Sequence, residues 1–296
     1  MQTKHQIQQL LASAGVRPNK KLGQHFLIDL NLMRLLLDSA NINNNDTVLE
    51  IGCGTGSLTE VLVEKAGLVI AVELDRVLAE IAKSRLANTP NLKLINADVL
   101  KSKHTFNPTV TNALETARKK YSGRVLLVAN LPYNVASPVI INLVTGPSIV
   151  DATYVTVQKE VADRMKAPPG SSNYGALSIF LAATGDVKTI RVLKPTVFWP
   201  APKVDSEMVS FVRNQVKSER IENMKLFIET VNLFMGHRRK MLKTSSKLAN
   251  KMLIKIENWS KIFKKCSIDP QKRPGQLCAE DFIAIANFCH SASVDT

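Results

Sequence analysis

From Thr47 onward, short runs of β-branched and aliphatic residues alternate with helix-length amphipathic stretches. Thr47 to Ile51, Leu68 to Val72, Leu92 to Ile95, Val125 to Ala129 and Thr153 to Val157 read as strands. That alternation predicts a parallel sheet with helices on both faces. After a helical stretch from Gly175 to Ala183, Val187 to Leu193 and Met208 to Val212 supply two further runs of strand character. Pro195, Pro200 and Pro202 lie between those two runs, so a loop and not a helix must connect them. A final antiparallel pair on an otherwise parallel sheet is the predicted outcome.

Past Asn214 the strand signals stop, and Glu219 to Phe234, Arg238 to Ile256 and Ala279 to Phe288 each read as helices. The predicted organisation is therefore an α/β domain over residues 1–214 and a small all-α domain over residues 215–296. Lys101 to Ser122 is polar and long for a connection, with helical character from Leu114 to Lys119; it reads as a surface insertion.

Composition changes this picture in two ways. No apolar run reaches the eighteen or more residues of a membrane-spanning helix, and Ile7 to Ala14 lacks the apolar centre of a secretion signal, so a soluble, cytoplasmic protein without membrane partners is expected. The four cysteines show no C-x-x-C spacing, which predicts neither a disulfide framework nor a metal site. The net charge is +14, but residues 1–100 carry ten basic and ten acidic side chains. Residues 101–200 carry twelve and five, and residues 201–296 carry seventeen and ten. The excess thus lies entirely in the last two-thirds of the chain and points to an anionic partner there.

Candidate chemistry begins where the first strand ends. Val48-Leu49-Glu50-Ile51 runs into Gly52-Cys53-Gly54-Thr55-Gly56, a turn in which Gly52, Gly54 and Gly56 let the backbone bend sharply and approach a ligand. A glycine turn alone also fits a dinucleotide site or a simple turn. Twenty-one residues after Gly52, Glu73 ends the second strand, where a carboxylate can accept hydrogen bonds from ribose hydroxyls, and Asp98 follows the third, where it suits an adenine amine. Three such features at successive strand ends favour a nucleoside-bearing cofactor.

The fourth strand ends in Asn130-Leu131-Pro132-Tyr133. The Asn130 side-chain oxygen and the Leu131 carbonyl can each accept one hydrogen of an exocyclic amine, holding the nitrogen lone pair toward a methyl donor. Pro132 restricts its own backbone and that of Leu131, and Tyr133 offers a flat face for stacking on a base. A sulfonium donor is already activated, so no general base is required before transfer. The same turn could serve amine methylation of DNA, RNA or protein glutamine, or be only a turn.

The series Lys20-Lys21-Leu22-Gly23-Gln24-His25-Phe26-Leu27, the glycine turn, Val72-Glu73-Leu74-Asp75, Asn130-Leu131-Pro132-Tyr133, Phe198-Trp199-Pro200-Ala201-Pro202-Lys203-Val204-Asp205-Ser206 and Arg238-Arg239-Lys240 resembles the ribosomal-RNA adenine dimethyltransferases. The likeness is to the type that modifies two adjacent adenines near the end of small-subunit RNA, and it covers nearly the whole chain. The resemblance implies a Rossmann-like S-adenosylmethionine-dependent methyltransferase fold with a mostly parallel seven-stranded sheet. It implies cofactor contacts at His25, Leu27, Gly52, Glu73, Asp98 and Asn130, and transfer of two methyl groups to each adenine. His25 stands where the family often has Asn. Phe198 matches an aromatic that would close the face of the base opposite Tyr133, with packing as the alternative role. The implied partner is small-subunit ribosomal RNA within a pre-ribosomal small subunit, bound by a monomer.

From Gly236 to Cys266 there are ten lysines and arginines against one acid, Glu257. Arg239, Lys243, Lys247, Lys251 and Lys255 recur every four residues, which on a helix makes a winding basic stripe, with Met241, Leu248, Met252 and Ile256 on a more buried face. Arg238, Arg239, Lys240, Lys243, Lys247 and Lys251 are the candidate RNA-binding residues; a solvated charged face is the alternative. Competing functional readings are the large-subunit adenine methyltransferases that confer antibiotic resistance, a binding factor on the same fold without chemistry, and an NAD-dependent dehydrogenase. The Arg238-Arg239-Lys240 segment and the proline-rich loop argue against the first, the intact Asn130 to Tyr133 against the second, and the G-x-G-x-G spacing against the third.

Overall fold

The computed structural model describes residues 1–19, 22–103, 105–146 and 150–294, with side chains up to Ser291. Lys20 and Lys21 of the N-terminal motif lie outside the described residues. Seven strands form one sheet: β1 (Thr47–Ile51), β2 (Leu68–Glu73), β3 (Leu92–Asn96), β4 (Val125–Asn130), β5 (Ala152–Gln158), β6 (Gly185–Leu193) and β7 (Ser206–Arg213). Their spatial order is β3-β2-β1-β4-β5-β7-β6. β1 pairs in parallel with β2 and β4, β2 with β3, and β4 with β5, whereas β7 runs antiparallel to β5. All five residues of β1 and the first five of β4 are buried, the expected state of central parallel strands covered on both faces. The predicted strands are all present.

The chain divides into two compact units, Met1–Ala162 with Lys188–Val212, and Asp163–Val187 with Arg213–Thr296. The division departs from a single cut at residue 214, because the chain joins the second unit at Asp163 and leaves it at Lys188. The reason is the helix Ala176–Thr184, Ala-Leu-Ser-Ile-Phe-Leu-Ala-Ala-Thr, which is apolar around most of its circumference and has to be enclosed. Within the second unit its Phe180 ring meets Phe227 of the helix Met224–Gly236 edge-on at 5.8 Å. Phe234, Trp259 and Phe263 extend that aromatic core.

Two further expectations are corrected. Lys101 to Ser122 is not a mere surface insertion, because most of it packs: Pro108–Lys120 is one helix, longer than the Leu114–Lys119 expected, with Pro108 in its first turn and Asn107 as its cap. Val110, Ala113, Leu114 and Ala117 are buried at helical spacing, and burying a leucine such as Leu114 contributes about 1.5–3 kcal/mol. Nor is Arg238–Ile256 one helix. It breaks into Leu242–Ser245, Ser246–Leu248 and Lys251–Lys255. Asn250 is fully extended (φ −141°, ψ −177°) and Lys251 left-handed (φ 50°), so the four-residue recurrence of lysines maps onto no continuous stripe. Of the residues expected on the buried face, Ile256 is buried, whereas Met241, Leu248 and Met252 are about 40% exposed, and Leu242 and Leu253 are buried in their place.

Candidate active site

The carboxyl ends of β1, β2, β3 and β4 open into one pocket of the first unit, roofed by the segment Leu22–Leu27. Phe26 and Leu27 reach it by pairing antiparallel with Trp199 and Phe198. Gly52 and Gly54 have positive φ (77° and 58°), and both lack space for a side chain. A Cβ on Gly52 would stand 2.8 Å from Cγ of Pro132, and one on Gly54 2.9 Å from the Phe26 ring. The glycine turn is therefore packed directly against the Asn130–Tyr133 turn and the roof. Gly56 does something else: it faces Ala82 and Leu86 and does not line the pocket, so its role is packing against the helix Arg76–Arg85.

Glu73 is buried at the end of β2, where its two carboxylate oxygens accept from the amides of Gly54 (2.8 Å) and Asp75 (2.9 Å). Burial pushes its pKa up, against the pull of those two amides. Two further lone-pair directions per carboxylate remain for ligand hydroxyls. Asp98 is exposed at the pocket rim; one oxygen accepts from Leu100 N (2.9 Å), and its carbonyl takes the Asn107 side-chain amide (3.0 Å). The cap of the helix Pro108–Lys120 thus anchors the Asp98 loop.

Asn130, the last residue of β4, is paired opposite Thr156, and Leu131 N donates to the Thr156 carbonyl (3.2 Å). Val135 N closes the turn on the Pro132 carbonyl (3.2 Å). The Asn130 amide nitrogen donates to the His25 carbonyl (2.7 Å), which fixes the orientation of the amide. Its oxygen Oδ1 is buried and, among the described residues, has no hydrogen-bond partner. A buried acceptor left alone costs about 1–3 kcal/mol, so its retention beside a pocket marks a place where a ligand donor belongs.

Tyr133 is half-buried, its hydroxyl bonded to that of Ser206 (2.6 Å), and burial raises its pKa. The His25 imidazole stacks on its ring at 5.2 Å and 26°, while His25 Nδ1 donates to the Pro200 carbonyl (2.6 Å). Phe198 is 2% exposed in the hydrophobic core with Leu27, Met33 and Met208 and is not among the residues lining the pocket, the packing role given above as its alternative.

Glu50 escaped the sequence reading. It is fully buried in β1, lines the pocket and accepts from the Thr59 hydroxyl (2.6 Å). Burial, reinforced by the neighbouring Glu73 charge and opposed by Thr59, pushes its pKa up to about 8. The available signal was a carboxylate between the aliphatic residues Leu49 and Ile51 of a strand, a costly place for a charge and so a candidate functional position. Among the described residues, the lining holds Glu50, Glu73 and Asp98 but no lysine or arginine. Such a pocket is complementary to a cationic cofactor and poorly matched to the pyrophosphate of a dinucleotide.

An acidic recess over the strand ends of a sheet in this order, with an Asn-Leu-Pro-Tyr turn and its unpartnered buried acceptor beside it, places the molecule among the S-adenosylmethionine-dependent methyltransferases as a class. Comparison with known proteins narrows the class. The profile of the family described as ribosomal RNA adenine dimethylase matches residues 15–290. A ribosomal RNA small subunit methyltransferase A from Clostridium perfringens is 37% identical over 279 residues, covering 94% of this chain and 93% of that protein. Its counterpart from Geobacillus sp. is 32% identical over 289 residues, covering 96% of each. The chain belongs to the ribosomal RNA adenine dimethylase family. The fold agrees: the crystal structure of a dimethyladenosine transferase from Plasmodium falciparum superposes with a TM-score of 0.68 at 24% identity, covering 90% of this chain and 97% of that one. The 23S rRNA methyltransferase ErmE gives 0.59 at 20% identity, covering 88% and 98%. The chain is an S-adenosylmethionine-dependent enzyme of rRNA adenine dimethylation.

Proposed function

We propose that this enzyme dimethylates the N6 amines of two adjacent adenines near the 3′ end of small-subunit ribosomal RNA, acting on a pre-ribosomal small subunit late in its assembly. The observation that carries the site assignment is the buried, unpartnered Oδ1 of Asn130. An exocyclic amine is a donor of the right kind and size to meet it, and its second hydrogen goes to the Leu131 carbonyl.

When bound, S-adenosylmethionine supplies an electrophilic methyl group on a sulfonium. Glu73 takes the ribose hydroxyls and Asp98 the cofactor's adenine amine, with Gly52 and Gly54 giving backbone access and His25 and Leu27 closing the roof. Glu50, buried beneath the glycine turn, is the charge that answers the cationic end. Asn130 and Leu131 orient the amine lone pair and stabilise positive charge developing on the nitrogen, the kind of preset electrostatic contact worth about 10²–10³ in rate. The proton then leaves to water. Tyr133 carries the base on the ring face away from His25.

Arg238, Arg239, Lys240, Lys243, Lys247 and Lys251 are all exposed and offer phosphate contacts as scattered charges on short turns. Every pocket residue comes from a single compact unit, so one protomer carries all the lining residues, as the proposed monomer requires. An rRNA substrate supports a cytoplasmic enzyme, and among the described residues no helix is long and apolar enough to cross a membrane. The test is to incubate the protein with undermethylated small subunits and methyl-labelled S-adenosylmethionine and map the label. Two adjacent N6,N6-dimethyladenines near the 3′ end are expected; label elsewhere, or none on adenine, overturns the reading.

A further inference from the structure

We propose that Ser206 is a positioning residue that sets the plane of the Tyr133 ring, and that the second methyl transfer to each adenine depends on it more than the first. The proposal rests on the reading that Tyr133 stacks on the target base. Ser206 opens β7 and is fully buried, and its hydroxyl shares a 2.6 Å hydrogen bond with the Tyr133 hydroxyl. On β5 it is paired opposite Gln158, two residues from Thr156, which is paired opposite Asn130. The amine acceptor and the far end of the stacking ring are therefore referenced to the same strand, two residues apart. Without the hydroxyl bond, the ring loses its polar anchor and keeps only packing such as the His25 stack at 5.2 Å, and stacked rings accept a range of offsets.

The two transfers make unequal use of that tether. An unmodified adenine presents two amine hydrogens to two acceptors, Asn130 Oδ1 and the Leu131 carbonyl, and the pair fixes both the nitrogen and the base plane. After one transfer a single hydrogen remains, so only one acceptor is engaged and the plane has to be held by stacking. A loose ring is tolerable in the first case and costly in the second.

Single-turnover methylation of undermethylated small subunits, with mono- and dimethyladenine quantified by mass spectrometry, reads this directly. Ser206→Ala is expected to slow the second transfer about three- to tenfold, the size of one neutral hydrogen bond, while slowing the first by about twofold or less, so that monomethyladenine accumulates. Tyr133→Phe, which keeps the ring and removes the other end of the tether, is expected to give the same product ratio, and the double variant to be no worse than either single one. Tyr133→Phe alone decides the matter should Ser206→Ala fail to fold. Equal slowing of both transfers, a wild-type product ratio, or multiplicative losses in the double variant overturns the proposal. Tyr133→Ala separates the two levels: wild-type turnover there removes the stacking reading itself, whereas collapse there with unchanged ratios in the other variants removes only the tether.

Discussion

On the proposed function, the Asn130–Tyr133 turn and the basic segment from Gly236 to Cys266 represent opposite ways of building a functional surface. In the turn, four polar groups are committed: Asn130 Nδ2 to His25, Leu131 N to Thr156, the Pro132 carbonyl to Val135 and the Tyr133 hydroxyl to Ser206. Against that fixed frame the side-chain oxygen Asn130 Oδ1 is buried with no hydrogen-bond partner among the described residues. In the basic segment, the backbone breaks at Asn250 and Lys251, and the cations sit exposed on short turns. Preset geometry serves chemistry, where a fraction of an ångström matters, whereas distributed charge serves binding to a polyanion, where the number of neutralised phosphates matters more than their alignment.

The sharpest way to break this contrast is Asn130→Ala. Loss of a preset acceptor is expected to lower the transfer rate by about 10²–10³-fold while leaving subunit affinity unchanged. Single-turnover rates and filter-binding affinities on the same preparation check both halves; a mutant that turns over normally removes Asn130 from the centre. The complementary change, Lys243→Glu with Lys247→Glu and Lys251→Glu, is expected to weaken subunit binding by about tenfold or more at moderate salt. It should also flatten the dependence of log affinity on log salt by roughly 0.7–0.9 for each phosphate that is no longer neutralised, with the rate in the bound complex retained. Unchanged affinity would return these lysines to solvent.

A smaller effect sharpens the contrast from inside the pocket. Glu50, with a pKa of about 8, is mostly protonated at neutral pH in the ligand-free protein. A cationic cofactor favours its ionised form, so binding releases a proton. Affinity for S-adenosylmethionine is expected to rise with pH, by at most about tenfold per unit, and to level off above pH 8. Stability of the ligand-free protein runs the other way. A carboxyl whose folded pKa lies above its unfolded value of 4.5 contributes stability that is fully present below 4.5 and is lost as pH rises through about 8. Calorimetric titration of wild type and Glu50→Gln checks this: the variant should bind with a flat pH profile, and a slope like that of wild type excludes Glu50.

Much of this molecule was legible in its sequence because β structure buried on both faces writes itself as short apolar runs. The positions just past those runs are where open α/β sheets place their ligands. Gly52, Gly54, Glu73, Asp98 and Asn130 to Tyr133 all lie there, and all line the pocket. What was illegible depended on tertiary context. The helix Pro108–Lys120 buries mainly alanines and valine beside Leu114, a weak apolar signal in a polar stretch. Phe198 sits in a motif with stacking potential, yet its pairing with Leu27 turns the ring into the core. The four-residue lysine recurrence implied a helix only on the assumption of unbroken helical backbone, which Asn250 and Lys251 do not supply. Glu50 was hidden by its position within a strand that otherwise reads as pure core.

The proposed role of the buried Asn130 oxygen, accepting the target amine, is tested with the least disturbance of shape by Asn130→Asp. In that buried position the acid is expected to be protonated, donating its O–H to the His25 carbonyl and presenting the other oxygen to the amine. The measurement is the single-turnover rate of methyl transfer to undermethylated small subunits for Asn130→Asp beside Asn130→Ala, with both variants confirmed to be folded by thermal unfolding. A rate for the aspartate variant at least about tenfold above that of the alanine variant is predicted, the value of one hydrogen bond retained to a nitrogen that gains positive charge during transfer. An aspartate variant as inactive as the alanine variant would remove the Asn130 oxygen as the acceptor of the amine.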